Sequence, residues 1–150
     1  MRRRDFLAAG LACGGAGLAL GGRPAAAAPE EAAAAMAALT GGASLRPGRV
    51  NLDLPPLVEN GNAVPMTVSV DSTMAGADRV RSIHVYAEKN PEPLVAVFRF
   101  GPRAAKAMVT TRIRLADSQT VTAVAEMADG SFWSAAAAAV VTLSACTEVL

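Results

Sequence analysis

The chain has few of the residues that build metal centres and hydrolytic active sites. Its 150 residues include one histidine, His84, and two cysteines, Cys13 and Cys146. A blue-copper site needs two histidines and a cysteine, and a structural zinc site needs four ligands. A cysteine hydrolase needs a histidine base that a third group holds in place. We therefore expect no metal, no cofactor and no catalytic dyad, although methionines are present at positions 36, 66, 74, 108 and 127.

Other signatures of catalysis and of nucleic-acid binding are also missing. The chain has no G-x-S-x-G elbow and no glycine loop of the kind that cradles phosphate. Removing the N-terminal segment 1–28 takes away four of the 14 basic residues and one of the 13 acidic residues, which leaves a net charge of about −2. A nearly neutral domain of mixed sign is not expected to bind nucleic acid.

Residues 1–28 have the features of an export signal. Arg3-Arg4 followed by Phe6-Leu7 matches the twin-arginine pattern, an address that a receptor reads. The apolar run 8–20 is shorter than the roughly 20 residues that span a bilayer, and three small residues precede a cleavage site after Ala28. We expect export to the periplasm without a membrane span; an uncleaved membrane helix, or a lipoprotein modified at Cys13, is the alternative.

The mature chain begins with a helical pattern and continues with strands. Residues 30–39 are rich in alanine and begin with two acids, which favours a short helix within an N-terminal segment 29–44. Apolar residues then alternate with polar ones between frequent turns, without βαβ alternation or an internal repeat. This pattern predicts an all-β fold for 45–143, an antiparallel β-sandwich of about seven strands, at 50–54, 66–70, 80–88, 94–100, 108–115, 120–127 and 131–143.

The hairpin signal and the alanine run both bear on the last predicted strand. Asp129-Gly130 predicts a hairpin with a type I′ turn, which requires two positive φ angles. Five alanines, 135–139, favour a helix by propensity, but the hairpin turn and Val140-Val141 on either side favour an edge strand that a partner subunit could approach. His84, between Ile83 and Val85, is expected on the opposite face from them, as an ordinary surface or interface histidine.

Cys146 is the residue best suited to covalent chemistry. It lies in a tail, 144–150, and it cannot form a disulfide within its own mature chain because no second cysteine remains. If the last strand ends near Leu143, the thiol has roughly 10 Å of reach at about 3.3–3.6 Å per residue. No lysine or arginine is near in sequence to activate it, so it is either a carrier thiol loaded by other enzymes or a small buried hydrophobe.

Several strings along the mature chain resemble the SoxY family, the sulfur-carrier subunits of the periplasmic thiosulfate-oxidising Sox system. They are VNLDLP at 50–55, ENGNAVP at 59–65, IHVYAEKNP at 83–91, TRIRLA at 111–116 and VAEMADGSFW at 124–133. The resemblance implies an immunoglobulin-like sandwich paired with a second β-sandwich subunit, SoxZ. It also implies a carrier, not an enzyme, with sulfur attached at Cys146 and transient contacts to a Sox cytochrome, a sulfate-releasing hydrolase and a sulfane dehydrogenase.

The tail departs from the family pattern. The family arm reads glycine-glycine-cysteine-glycine-glycine, whereas Ser144-Ala145 precede and Thr147-Glu148 follow Cys146 here, with Val149-Leu150 added. Glycines allow unusual backbone angles and entry into narrow clefts, and these bulkier residues should enter such a cleft poorly. The sequence is thus compatible with a working carrier matched to wider clefts, or with a SoxY-like binding or scaffold subunit that carries no sulfur; an unrelated sandwich is the third alternative.

Overall fold

The structure, a computed structural model, describes residues 29–144. This part of the chain forms an α-helix, α1 (Pro29–Thr40), and a short 3-10 helix, Gly76–Asp78. It also forms nine strands: β1 (Leu45–Pro47), β2 (Val50–Asp53), β3 (Leu57–Val58), β4 (Val64–Val70), β5 (Val80–Ala87), β6 (Leu94–Arg99), β7 (Ala107–Ile113), β8 (Gln119–Met127) and β9 (Phe132–Val141). All seven predicted strands are present, and β1 and β3 are additional.

The strands form two sheets. The large sheet has the order β1-β9-β8-β5-β6, with β3 also paired to β9, and the small sheet has the order β2-β4-β7. The long neighbours are antiparallel, as predicted, but β1 and β3 both pair with β9 in parallel. The chain leaves the large sheet after β1, forms β2 in the small sheet and returns as β3, so both short strands run along the same edge in the direction of β9.

One hydrophobic core lies between the sheets. Alternation determines which side chains enter it, because successive residues of a strand point to opposite faces. The largest fully buried side chains include Met66 and Val68 of β4, Ile83 of β5 and Met127 of β8. Val121, Ala123 and Ala125, which alternate along β8, all belong to this core. The fold is therefore the predicted β-sandwich.

Helix α1 covers part of the outer face of the large sheet. Its residues Ala35, Met36 and Leu39 pack against a second buried cluster formed by Tyr86, Val124 and Phe132. The helix ends at Thr40, and the two glycines that follow, Gly41 and Gly42, have positive φ, 59° and 88°. A helix this short is marginal alone, and its own domain supplies the surface on which it lies.

The alanine-rich stretch is a strand, as predicted, but β9 is not a simple edge strand. It pairs with β8 along its length, while β1 and β3 cover only the two ends of its other side. Ala139 is buried and Ala136 and Ala138 are exposed. On the side of β9 away from β8, the residues between the β1 and β3 pairings therefore have no described strand partner, and their side chains are small.

The β8–β9 hairpin has a different turn from the one predicted. Glu126 pairs with Phe132, and the Gly130 amide donates to the Met127 carbonyl at 3.1 Å. Gly130 has φ of 82°, but Asp129 does not have positive φ. The Met127 amide also donates to the Ser131 carbonyl at 2.9 Å, so the connection between these bonded residues is three residues long, 128–130, with a left-handed glycine, and is not a type I′ turn. The Asp129 carboxylate stabilises it by accepting from the Ser131 amide and hydroxyl, at 2.8 and 2.6 Å.

Candidate functional site

The predicted attachment residue, Cys146, lies outside the described residues, but the structure shows how the chain leading to it is held. Strand β9 ends at Val141. The Thr142 amide donates to the Val58 carbonyl at 2.9 Å, and the Leu143 carbonyl accepts from the Gly61 amide at 2.8 Å. The main chain is therefore anchored up to Leu143, three residues before the cysteine.

The residues around this anchor form a hydrogen-bonded platform at one end of the sandwich. We call it the tail platform; it comprises residues 59–62, 89–90, 114–118 and 142–144. Gly61 is at its centre, because its amide binds Leu143 and its carbonyl accepts from the Leu115 amide at 2.8 Å. The Ser118 hydroxyl accepts from the Val141 amide at 2.9 Å. The last strand is thus bound to two different loops where the tail begins.

Two side-chain amides hold the platform together. The Asn90 carbonyl oxygen accepts from the Ala116 amide at 2.9 Å and from Gln119 Nε2 at 3.0 Å, while its Nδ2 donates to the Arg114 carbonyl at 2.8 Å. Gln119 is buried, and its Oε1 accepts from the Lys89 amide at 2.8 Å. These bonds join the β5–β6 turn to the β7–β8 loop beneath the start of the tail.

The tail platform contains charged residues of both signs. Arg114 is exposed one residue from Leu115, and Lys89 pairs with Asp117 at 3.7 Å. Glu59, also exposed, contributes a further acid. The sequence has no cation near Cys146 along the chain. Arg114 and Lys89 belong to the tail platform only through contacts between segments more than 20 residues apart, for which the local sequence has no signal.

His84 does not belong to this platform. It lies on the face of β5 opposite Ile83 and Val85, as predicted. Only 9% of its surface is exposed, so, of the two expected settings, surface or interface, the surface one is wrong. The Ser82 hydroxyl donates to Glu126 Oε2 at 2.9 Å and lies 3.0 Å from His84 Nε2. Because the single hydroxyl proton goes to the carboxylate, the imidazole must be the donor in the second bond.

The Ser82–His84–Glu126 cluster has the wrong order for nucleophilic catalysis. A hydrolytic triad places the histidine between the nucleophile and the acid, whereas here the serine lies in the middle. Burial lowers the pKa of His84, Glu126 opposes this shift, and Arg99 adds to it. The imidazole is therefore neutral at neutral pH, and its observed bonds support a structural role.

Among residues 29–144 no group of three or more His, Cys, Asp or Glu side chains could hold a metal ion. An open depression of about 450 Å³, lined in part by Asp71, Lys106 and Met108, lies at the end of the small sheet where Val70 pairs with Ala107. Val64 and Ile113 mark the opposite end, which carries the tail platform.

No helix within residues 29–144 is long and apolar enough to cross a membrane.

The fold and the tail platform together define a class of protein. It is a two-sheet β-sandwich whose last strand leads into a segment that contains one thiol. A family model described as sulfur oxidation protein SoxY matches residues 36–146, so its match includes Cys146. The chain belongs to the SoxY family.

Solved structures agree with this assignment. The sulfur carrier protein SoxY from Chlorobium limicola f thiosulfatophilum is similar with a TM-score of 0.60 and 25% identity, covering 71% of this chain and 87% of that one. A superoxide reductase (neelaredoxin) from Ignicoccus hospitalis has a TM-score of 0.54 and 21% identity, covering 63% of this chain and 80% of that one. The second likeness concerns the fold alone. No curated protein sequence matches the chain.

Proposed function

We propose that this protein carries sulfur intermediates of thiosulfate oxidation covalently on Cys146 and presents them to partner enzymes in the periplasm. Membership of the SoxY family supports a role as a sulfur-oxidation carrier. The observation that carries the proposal is the tail platform, which anchors the chain up to Leu143 and leaves three further residues to reach the thiol. The twin-arginine pattern of residues 1–28 supports the location.

The chemistry proposed for the thiol is simple. Its thiolate sulfur forms a bond to the outer sulfur of thiosulfate, and two electrons pass to a cytochrome partner. Hydrolysis then breaks the bond between the outer sulfur and the sulfonate: one water supplies the fourth oxygen of sulfate, two protons are released, and a persulfide remains on Cys146. A dehydrogenase partner then takes six electrons from that sulfane sulfur while three waters supply its oxygens and six protons are released, which leaves a sulfonate on the Cys146 sulfur; hydrolysis of this group with one more water releases a second sulfate and two protons and restores the thiolate. The protein supplies the thiol and its presentation, and the partners supply redox and hydrolytic groups.

A Cys146→Ser substitution tests this role in cells. A strain with the variant in place of the natural chain should lose thiosulfate-dependent sulfate production, because the serine hydroxyl cannot form the sulfur–sulfur bond. Ser144→Ala, two residues earlier, is the matched control and should retain production. Equal sulfate production by the Cys146→Ser strain would reject the carrier role and favour the alternative, a binding or scaffold subunit.

We also propose a SoxZ-like β-sandwich partner. The exposed alanines of β9 leave room for close approach by another subunit, whereas helix α1 already packs on its own sheet. Coexpression with a SoxZ-like subunit should give a heterodimer in size-exclusion chromatography with light scattering. A stable monomer with no affinity for that subunit would contradict the proposal.

A further inference from the structure

An asparagine–glycine pair lies inside the tail platform. The chain has four asparagines, at positions 51, 60, 62 and 90, and of these Asn60 alone precedes a glycine. Such a pair is chemically reactive, because the main-chain nitrogen of the second residue can attack the side-chain carboxamide of the first, and glycine has no side chain to obstruct the approach. Gly61, the nucleophile in this reaction, is also the residue that binds Leu143 where the tail begins.

The electrophile of the pair is exposed and oriented for the reaction. Asn60 lies at the surface, and its Oδ1 accepts from the Asn62 amide at 2.9 Å. This bond turns the carboxamide back over the peptide link between Asn60 and Gly61, as in an Asx-turn. The Asn60 carbonyl also accepts from the Ala63 amide at 3.4 Å, which closes the same turn. The side chain of Asn60 therefore does not hinder the reaction.

The nucleophile, in contrast, is blocked. Gly61 is buried, and its N–H donates to the Leu143 carbonyl at 2.8 Å. The nitrogen attacks only after it has lost its proton to base, which is also the first step of hydrogen exchange, and a buried, bonded N–H loses its proton only when the structure opens locally. The contact with Leu143 therefore controls whether the pair reacts.

We infer that Asn60–Gly61 is a latent modification site, closed while Leu143 is bound and opened when residues 142–144 detach from the platform. In the open state the Gly61 nitrogen bonds to Asn60 Cγ, the Cγ–Nδ2 bond breaks, and ammonia leaves with the amide proton. One water then opens the succinimide ring and gives aspartate or isoaspartate at position 60, with no change in oxidation state. Detachment of the last segment is thereby recorded as a permanent covalent change.

The isoaspartate product also alters the platform. It adds one methylene group to the main chain directly before Gly61, whose amide binds Leu143 and whose carbonyl accepts from the Leu115 amide at 2.8 Å. These bonds depend on the present spacing of the main chain, so the Leu115 amide should exchange with solvent deuterium faster in the product than in the natural chain. The thiol takes no part in this reaction, which is therefore independent of sulfur carriage.

Two shortened forms of the mature chain test the inference. A chain that ends at Thr142 lacks the Leu143 carbonyl, whereas the matched control, which ends at Ser144, keeps it. Both are incubated at mildly alkaline pH after circular dichroism has established that they are folded, and peptide mapping by mass spectrometry follows the loss of Asn60. The chain that ends at Thr142 should lose Asn60 several-fold faster than the control, with equal loss of Asn51 in both. Equal loss of Asn60 would overturn the inference.

A second comparison leaves the chain intact and applies even where the Thr142 truncation prevents folding. In the mature chain, Asn60 should persist several-fold longer in buffer than in urea, and the Gly61 amide should exchange slowly with deuterium. Loss of Asn60 at the same rate in both solvents would reject the inference. A Gly61 amide that exchanges as fast as in the unfolded chain would reject it as well, because the bond to Leu143 would then offer no protection.

Discussion

Arg49 has a left-handed backbone, with φ of 59°, which is uncommon for a residue other than glycine. Its side chain has several partners that stabilise this conformation. Nε and Nη2 donate to the Asp71 carbonyl at 3.1 and 2.8 Å, and Nη2 also pairs with the Asp78 carboxylate. The guanidinium carbon lies over Trp133, 5.3 Å from the centre of the ring. Arg46 lies over the same ring at 5.6 Å. Both guanidinium groups therefore lie over the Trp133 ring.

Asp78 makes this cluster sensitive to acid. Hydrogen bonds from the Thr73 amide, then from Arg49 and the Thr73 hydroxyl, lower the pKa of Asp78 from 3.8 to about 2. Because the folded state has the lower pKa, the stabilisation is complete above pH 3.8 and is lost as the pH falls through about 2. Thermal melting should show Asp78→Asn less stable than the natural chain at neutral pH, with the gap closing near pH 2.

Asp53→Asn is the matched control for this prediction, because Asp53 is exposed on the small sheet. Its melting curves should follow those of the natural chain across the acid range. A gap between Asp78→Asn and the natural chain that stayed constant down to pH 2 would contradict the assigned role.

His84 predicts a second pH effect. Its pKa is lowered from 6.5, chiefly by burial, so the unfolded chain binds this proton more readily than the folded protein does. Stability should therefore decrease as the pH falls below 6.5, and His84→Gln should remove this part of the decrease. Urea denaturation at a series of pH values measures the effect; the same slope in both proteins would show that His84 is not its source.

The long strands were predictable because each contains enough residues for a period of two. Strand β1 has three residues and β3 has two, and no alternation is visible over such lengths. Their parallel pairing with β9 depends on the path of the chain through the other sheet. The hairpin was predictable from Asp129-Gly130, but its turn type depended on the register of Glu126 with Phe132.

Gly130 tests that turn. A Cβ at this position would meet nothing within 4 Å, so Gly130→Ala should act only through the backbone, whose φ is 82°. A left-handed conformation costs an L-residue roughly 1–2 kcal/mol, and the free energy of unfolding should fall by about that amount. Gly101→Ala is the matched control, since it also has open space but no positive φ. Equal losses in the two variants would contradict this account of the hairpin.

For the whole molecule, the fold and the family could be predicted from the sequence, whereas the residues packed around the start of the tail could not. Alternating residues and several specific strings indicated a SoxY-like sandwich, and the family match confirms the resemblance. The tail platform brings Gly61, Leu115 and Leu143 together from three distant segments. This arrangement has no signature in a local stretch of sequence.

The central claim is that sulfur travels on Cys146. Its most direct test is the intact mass of the mature chain isolated, without reductant, from cells oxidising thiosulfate, followed by location of the adduct by peptide fragmentation. We expect thiosulfonate and persulfide adducts on Cys146 that disappear on reduction and are missing from the Cys146→Ser variant. A thiol that remains unmodified throughout thiosulfate oxidation would contradict it.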